Sequence, residues 1–302
     1  MPVGISGGRS TETRTSPTES ATDRFDLFAI AAPGLEPLVE REHRALGIED
    51  AHADAGGVSF TGGREAIYRA NLHLRTASRV IARVAEFGAR GFPELVRHAK
   101  RQPWERYLAA ERPIHLRVTC KKSRLYHSDA VAERVGDAIA KRLGVGGLST
   151  IKGGEDEDAM GQLVIVRMAH DHCVLSVDTS GALLHRRGYR EATAKAPIRE
   201  TPAAALLLAA EWRVDAPLLD PFCGSGTIAI EAALLARRIP PGLHRRFAFM
   251  DWPDFDSALW RRVHDEAART ALPRAPSAIQ GSDRDAGAIE AARANAARAG
   301  VA

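Results

Sequence analysis

Apolar positions change period several times along the chain, and each change predicts an element. Ile114-His115-Leu116-Arg117-Val118-Thr119-Cys120 alternates strictly, as a strand with one buried and one wet face does. Gln162 to Met168 and Cys173 to Asp178 read as the two strands of a hairpin turning across Ala169-His170-Asp171-His172. Phe25 to Ile30, Gly57 to Phe60 and Val80 to Phe87 are further short strands. Helical spacing runs through Leu35, Leu38, Val39, Glu42 and Leu46, with Gly47 as a stop. It returns over Glu65 to Leu74 and Phe92 to Arg101. Ser128 is placed to cap a helix whose Val131, Val135, Ala138 and Ile139 form one stripe, closed by Gly144. Gly146 to Asp158 is a Gly- and acid-rich loop. The irregular order of strands and helices predicts small α+β units.

The pattern changes after Thr179. Ser180 to Arg190 is polar and basic, a connector. Ile198 to Trp212 reads as an Ala/Leu helix. Leu218-Leu219 then leads into Asp220-Pro221-Phe222-Cys223-Gly224-Ser225-Gly226-Thr227, and Ile228 to Leu235 is helical. Strand, glycine turn and helix start are how an open α/β sheet approaches a nucleotide-like ligand. A loop carries Pro240-Pro241-Gly242 and Asp251-Trp252-Pro253-Asp254, and a helix follows near Ser257 to Thr270. Ala278 to Gly281 is a second strand, with Asp283 at its tip, before a helix over Ala286 to Ala299.

Composition narrows the setting. The chain has 302 residues, 45% hydrophobic and 26% charged, which suits two or three globular domains. No apolar run is long enough for a membrane span. Cys120, Cys173 and Cys223 lie far apart, without metal-type spacing, which fits a reducing cytoplasm. Met1 to Arg24 lacks an apolar stretch and reads as a disordered tail, not a signal peptide. Between Arg64 and Arg124, fifteen Lys and Arg face five Glu. That excess of ten exceeds the net +4, so the rest of the chain carries −6. A basic half joined to an acidic half predicts a polyanion-binding module, and RNA or DNA is the first candidate. Arg117, Lys121, Lys122 and Arg124, along and after the alternating strand, are the candidate backbone contacts, a merely solvated strand end being the other reading.

Three ligands compete for the glycine turn. A nucleoside triphosphate would need a Lys after the glycines, and none follows. Gly224-Ser225-Gly226-Thr227-Ile228-Ala229 satisfies the dinucleotide pattern, but the acid wanted about 20 residues later, at the end of a second strand, first comes at Asp283, much further on. S-adenosylmethionine fits the acids that are present. Asp220 can face its amino group, Gly224 and Gly226 allow close approach, and Asp283 can accept both ribose hydroxyls. Read singly, Asp220 is a turn former, and Ser282 or Asp283 a helix N-cap. Together around the turn the two acids favour a site.

Asp220 to Thr227 resembles the first motif of the S-adenosylmethionine-dependent RNA methyltransferases that carry a THUMP domain. Asp178-Thr179-Ser180-Gly181, Leu184-His185-Arg186-Arg187-Gly188-Tyr189-Arg190 and Ala196-Pro197-Ile198-Arg199-Glu200-Thr201 are similar to that family's junction into the catalytic domain. Pro241-Gly242-Leu243-His244-Arg245 and Gly281-Ser282-Asp283-Arg284-Asp285 resemble its bacterial branch acting on guanine N2 of large-subunit rRNA. The resemblance implies an α+β ferredoxin-like and THUMP module that holds RNA, followed by an α/β Rossmann-like methyltransferase domain. Its implied divisions are a tail over 1–24, a ferredoxin-like segment over 25–64 and THUMP over 65–178. A linker over 179–197 and the methyltransferase over 198–302 complete them. Asp220, Pro221, Gly224, Ser225, Gly226, Thr227 and Asp283 would hold S-adenosylmethionine, and 23S rRNA would be the partner. The family's Asn/Asp-Pro-Pro-aromatic catalytic motif is absent, since Pro240-Pro241 is flanked by Ile239 and Gly242. The expectation is therefore an incomplete domain, inactive alone and with no assigned catalytic residue. The other reading is an RNA-binding protein with a remnant methyltransferase domain.

Overall fold

Seven strands of the N-terminal half join in one sheet in the computed structural model, which describes residues 24–147, 161–191 and 198–302. The expected tail (Arg24 excepted) and nearly all of the Gly- and acid-rich loop lie outside the described residues. The elements are β1 (Phe25–Ala31), α1 (Glu36–Ala45), β2 (His52–Asp54), β3 (Gly57–Gly62), α2 (Arg64–His73) and β4 (Ala77–Gly88). They continue with α3 (Phe92–Lys100), β5 (Ile114–Lys121), α4 (Ser128–Leu143), β6 (Gln162–Ala169) and β7 (His172–Asp178). The spatial order is β2-β3-β1-β4-β7-β6-β5, with only β5 and β6 parallel. The long β4 is the seam. It pairs with β1 on one side and with β7 on the other, shifting register between Arg83 and Ala85. A ferredoxin-like unit and the following α+β unit are thus hydrogen-bonded into a single sheet.

Two local expectations change. Ser128 does not cap α4. The N-cap is His127, without a side-chain bond, because Ser128 is already the first helical residue. The Ala/Leu helix is shorter than its composition predicts. It is α5 (Glu200–Ala209), ended where Glu211 turns left-handed at φ 51°.

The C-terminal half adds β8 (Leu218–Asp220), α6 (Thr227–Ala236), α7 (Ser257–Arg269), β9 (Ile279–Gly281) and α8 (Ala286–Arg298). β8 and β9 are parallel, with Asp220 opposite Gly281. Between α6 and β9 the chain returns to the N-terminal half. Pro240, Pro241 and Gly242 are buried, and Gly242 N donates to Leu72 O (3.0 Å). A Cβ at Gly242 would come within 2.9 Å of Leu72 Cα, so the loop lies directly on α2. Tyr68 stacks on Phe249 at 4.6 Å, and Trp252 meets Tyr107 edge-on at 5.1 Å while donating to Gln162 Oε1 (3.0 Å). Phe247, Phe249, Trp252, Val263 and Ala267 therefore belong to the same apolar core as β1 and β4. Arg64 to Asp254 (2.8 Å) and Arg262 to Glu65 (2.8 Å) flank it.

Four residues of the connector, Ser180, Leu184, Arg187 and Tyr189, are buried. Arg187 donates to the carbonyls of Leu184 and Arg75 and lies 3.6 Å from Glu231, with both side chains almost wholly buried. Tyr189 Oη also donates to Glu231 (3.1 Å). Two cations of this polar, basic connector are thus paired with acids, Arg187 with Glu231 on α6 and Arg190 with Glu200 on α5. Leaving either charge buried alone would be costly.

Candidate functional site

The candidate site forms at the C-terminal ends of β8 and β9, where open α/β sheets receive ligands. Backbone bonds join the two strand ends beyond the ladder. Ser282 N donates to Asp220 O (2.8 Å), and Cys223 N donates to Ser282 O (2.9 Å). Asp220 Oδ1 accepts from Phe222 N (3.2 Å), which orients the carboxylate at the start of the turn. Asp283 Oδ2 accepts from Gly224 N (2.9 Å) and Oδ1 from Asp285 N (3.0 Å). These N–H groups, from Asp285 first, hold the Asp283 carboxyl below the usual carboxylate range. A carboxylate has about four lone-pair sites, so acceptor capacity remains on both acids.

Gly224 and Gly226 have φ of 51° and 84°, which favour glycine, but they serve different needs. A Cβ on Gly226 would lie 3.0 Å from Ala292 Cβ, so that glycine lets α6 pack closely on α8. A Cβ on Gly224 would meet nothing within 4 Å, so there the backbone borders open space. No side chain caps α6 at Gly226, which leaves its first N–H groups available beside that space. Burial first, then the negative charges of Asp220 and Asp283, push the Cys223 thiol up and keep it protonated. Pro221 is exposed and Ser225 and Thr227 are buried. The helix N-cap reading of Asp283 gives way to Asp285, whose side chain accepts from Gly287 N (2.8 Å).

Two residues with no assigned role in the sequence reading support this turn. Arg190 donates to Thr227 Oγ1 (2.6 Å) and lies 3.1 Å from Glu200. Asn295, fully buried on α8, donates to Ser225 O (3.1 Å). An amide on the inner stripe of an Ala-rich helix was the signal for Asn295. Nothing in the local spacing marks Arg190 as a support of the turn, because Thr227 lies 37 residues on. A cleft of about 530 Å³ near the turn lies on its other side, between α6 and α8, lined by residues such as Ala229, Ala233 and Ala292 and by neither acid. Among the described residues no group of His, Cys, Asp and Glu could hold a metal ion, and no helix is long and apolar enough to cross a membrane.

The basic candidates lie elsewhere, on the edge strand of the large sheet. Arg117 is half-buried within β5, whereas Lys121, Lys122 and Arg124 are exposed at its end. Several cations in the basic stretch have internal partners. Arg79 pairs with Asp178, Arg83 with Asp26, Arg64 and Arg106 with Asp254, and Arg112 with Asp251. The charge count therefore overstates the positive surface, and exposed cations remain at the end of β5 and at the end of α3, where Arg97, Lys100 and Arg101 lie.

With this geometry in place, comparison with known proteins is direct. Residues 187–302 match an RMKL-like methyltransferase domain, and residues 26–81 match an RlmL ferredoxin-like domain. A Synechocystis protein named "Putative RNA methyltransferase slr0064" is 37% identical over 280 residues, covering 92% of this chain and 72% of its own length. The ribosomal RNA large subunit methyltransferase K/L of Aliivibrio fischeri is 37% identical over 278 residues, 91% of this chain but 39% of that protein. The crystal structure titled "SMU.472, a putative methyltransferase complexed with SAH" aligns with a TM-score of 0.82 at 36% identity, over 92% of this chain and 73% of its own.

Proposed function

The chain belongs to the RMKL-like methyltransferase family, and from that premise we propose that it binds S-adenosylmethionine at the β8–β9 turn and serves methylation of RNA. The finer reading is guanine N2 of large-subunit rRNA. The motifs around Pro241 and Gly281 support it, and the name of the Aliivibrio relative supports the large-subunit rRNA part of it. The observation that carries the cofactor reading is the pair Asp220 and Asp283 on adjacent parallel strand ends, around a glycine turn that opens onto free space. Asp220 would face the amino group of the cofactor and Asp283 its ribose hydroxyls. Gly224, Ser225, Gly226 and Thr227 would supply close backbone, and Pro221 would shape the turn. The bound cofactor supplies an electrophilic methyl group. The module over residues 25–178 would hold the RNA, with Arg117, Lys121, Lys122 and Arg124 near its backbone, and 198–302 would hold the cofactor.

The described β8–β9 layer is insufficient for methyl transfer in this reading. Leu219 is 65% exposed and Phe222 87% exposed, and Pro240-Pro241 is buried against α2 and cannot meet a base. Calorimetry with S-adenosylhomocysteine tests the site. The unmodified chain is expected to bind, and Asp283→Asn to weaken binding roughly 10- to 100-fold through loss of charge-assisted bonds. Asp285→Ala should cost about 1 kcal/mol of stability as a lost cap while keeping affinity. Because the Asp283 carboxyl is held low, its own contribution to affinity, read as the difference between the parent and Asp283→Asn, should persist as pH falls through the ordinary carboxylate range and weaken only below it. Absent cofactor binding with RNA binding intact would favour an RNA-binding protein with a remnant domain. Methyl transfer to rRNA by this chain alone would refute the insufficiency.

A further inference from the structure

Between β5 and α4 the chain makes a turn that the β6–β7 hairpin holds in place. His170 N donates to Lys121 O (3.1 Å), Asp171 N to Ser123 Oγ (3.1 Å), and Arg124 N to Asp171 Oδ1 (2.7 Å). Lys122, His170 and Asp171 all take positive φ, at 49°, 52° and 61°, so both turns are tight. Leu125 is buried in the core, and the next side chain is thereby turned outward. Tyr126 is 67% exposed, with its ring 4.0 Å from that of His127. Among the described residues it is the one strongly exposed large hydrophobic side chain of the N-terminal half; the others fall between Ile198 and Phe222.

Exposed Lys121, Lys122 and Arg124 lead into this residue along the same turn, Asp171 lies 4.0 Å from Arg124 Nε, and exposed Asp129 follows at the start of α4. An aromatic face among cations on a rigid turn matches the alternation of base and phosphate along a single strand. In a duplex, base faces are covered by their neighbours, so the ring would have nothing to stack on. The geometry points to a stacking platform for one unpaired nucleotide of RNA, its base on Tyr126 and its flanking phosphates on Lys121 and Lys122. This rests on the RNA reading above and goes beyond it by assigning a base-contacting residue and a single-stranded ligand.

The test is fluorescence anisotropy of the intact chain with a labelled single-stranded RNA of about 12 nucleotides and with the corresponding duplex. Tyr126→Ala is expected to weaken single-strand binding roughly 5- to 100-fold and to leave duplex binding within about twofold. Tyr126→Trp should retain single-strand affinity. Lys121→Ala with Lys122→Ala should weaken both ligands and flatten the salt dependence. Tyr126 is exposed, so the variants should fold like the parent, which circular dichroism checks. Unchanged single-strand affinity in Tyr126→Ala, or an equal loss on the duplex, overturns the platform while leaving RNA binding standing. A parent chain that binds S-adenosylhomocysteine but neither RNA removes the RNA reading, and the platform with it.

Discussion

The two sheets of this chain are built for opposite ends. The seven-stranded sheet buries its side chains: Leu27, Phe60, Val80, Val164 and Leu175 are almost wholly removed from water. In β8 and β9 no residue is buried, and the ordered features are backbone contacts and two carboxylates at the strand tips. One sheet is ordered by what it hides. The other is ordered by the α6 and α8 helices and the connector, which leaves its tips for a ligand. Stability and ligand affinity should therefore respond to different residues.

The largest effect is expected where the C-terminal half enters the N-terminal core. Trp252→Ala should cost about 3–5 kcal/mol, measured by urea denaturation. Loss of α6 and α8 at the same denaturant concentration as the large sheet would confirm the shared core. A separate, unshifted transition for the C-terminal half would break the comparison. Gly226→Ala should cost about 1–3 kcal/mol, because the new Cβ meets Ala292. Gly34, at φ 88° but with nothing within 4 Å, isolates the backbone part, and Gly34→Ala should cost about 1 kcal/mol. Only the Gly226 variant should also lose S-adenosylhomocysteine affinity.

Asp251 gives the smallest and most pH-dependent effect. It takes a 2.5 Å contact from Arg112 and a bidentate bond from Arg246, linking the halves. Arg246 first, then Arg112, holds its carboxyl below the usual range. Its contribution, about 1 kcal/mol, is present above the ordinary carboxylate pKa and is lost as pH falls toward the lower folded value. The stability gap between the parent and Asp251→Asn should close in acid. A gap that stays constant would show that the ion pairs contribute nothing.

Strands with clean alternation were legible from local pattern. β5 and the β6–β7 hairpin lie where the spacing predicts, although their faces are less cleanly divided than the alternation suggests: His115, on the polar side of β5, is buried. The glycine turn and Asp283 were legible because turn chemistry is local. The merging of two units through β4 was not, since pairing of Arg83 with Ser176 joins residues far apart in sequence. Nor was the partial burial of the connector. Arg187 and Arg190 look like surface cations until Glu231 and Glu200 are brought beside them. The same holds for the loop over Pro240 and Gly242, whose small residues signal a turn but not the helix it rests on.

The buried Arg187–Glu231 pair makes the protein a ruler. Glu231 is one turn along α6 from Thr227, and Arg187 is bonded to the backbone of Arg75 beside the large sheet. The interval between the proposed cofactor turn and the basic end of β5 is thus fixed by side-chain contacts, not by the length of a tether. An RNA engaging both places would have to match that interval, and substrate choice becomes a question of reach.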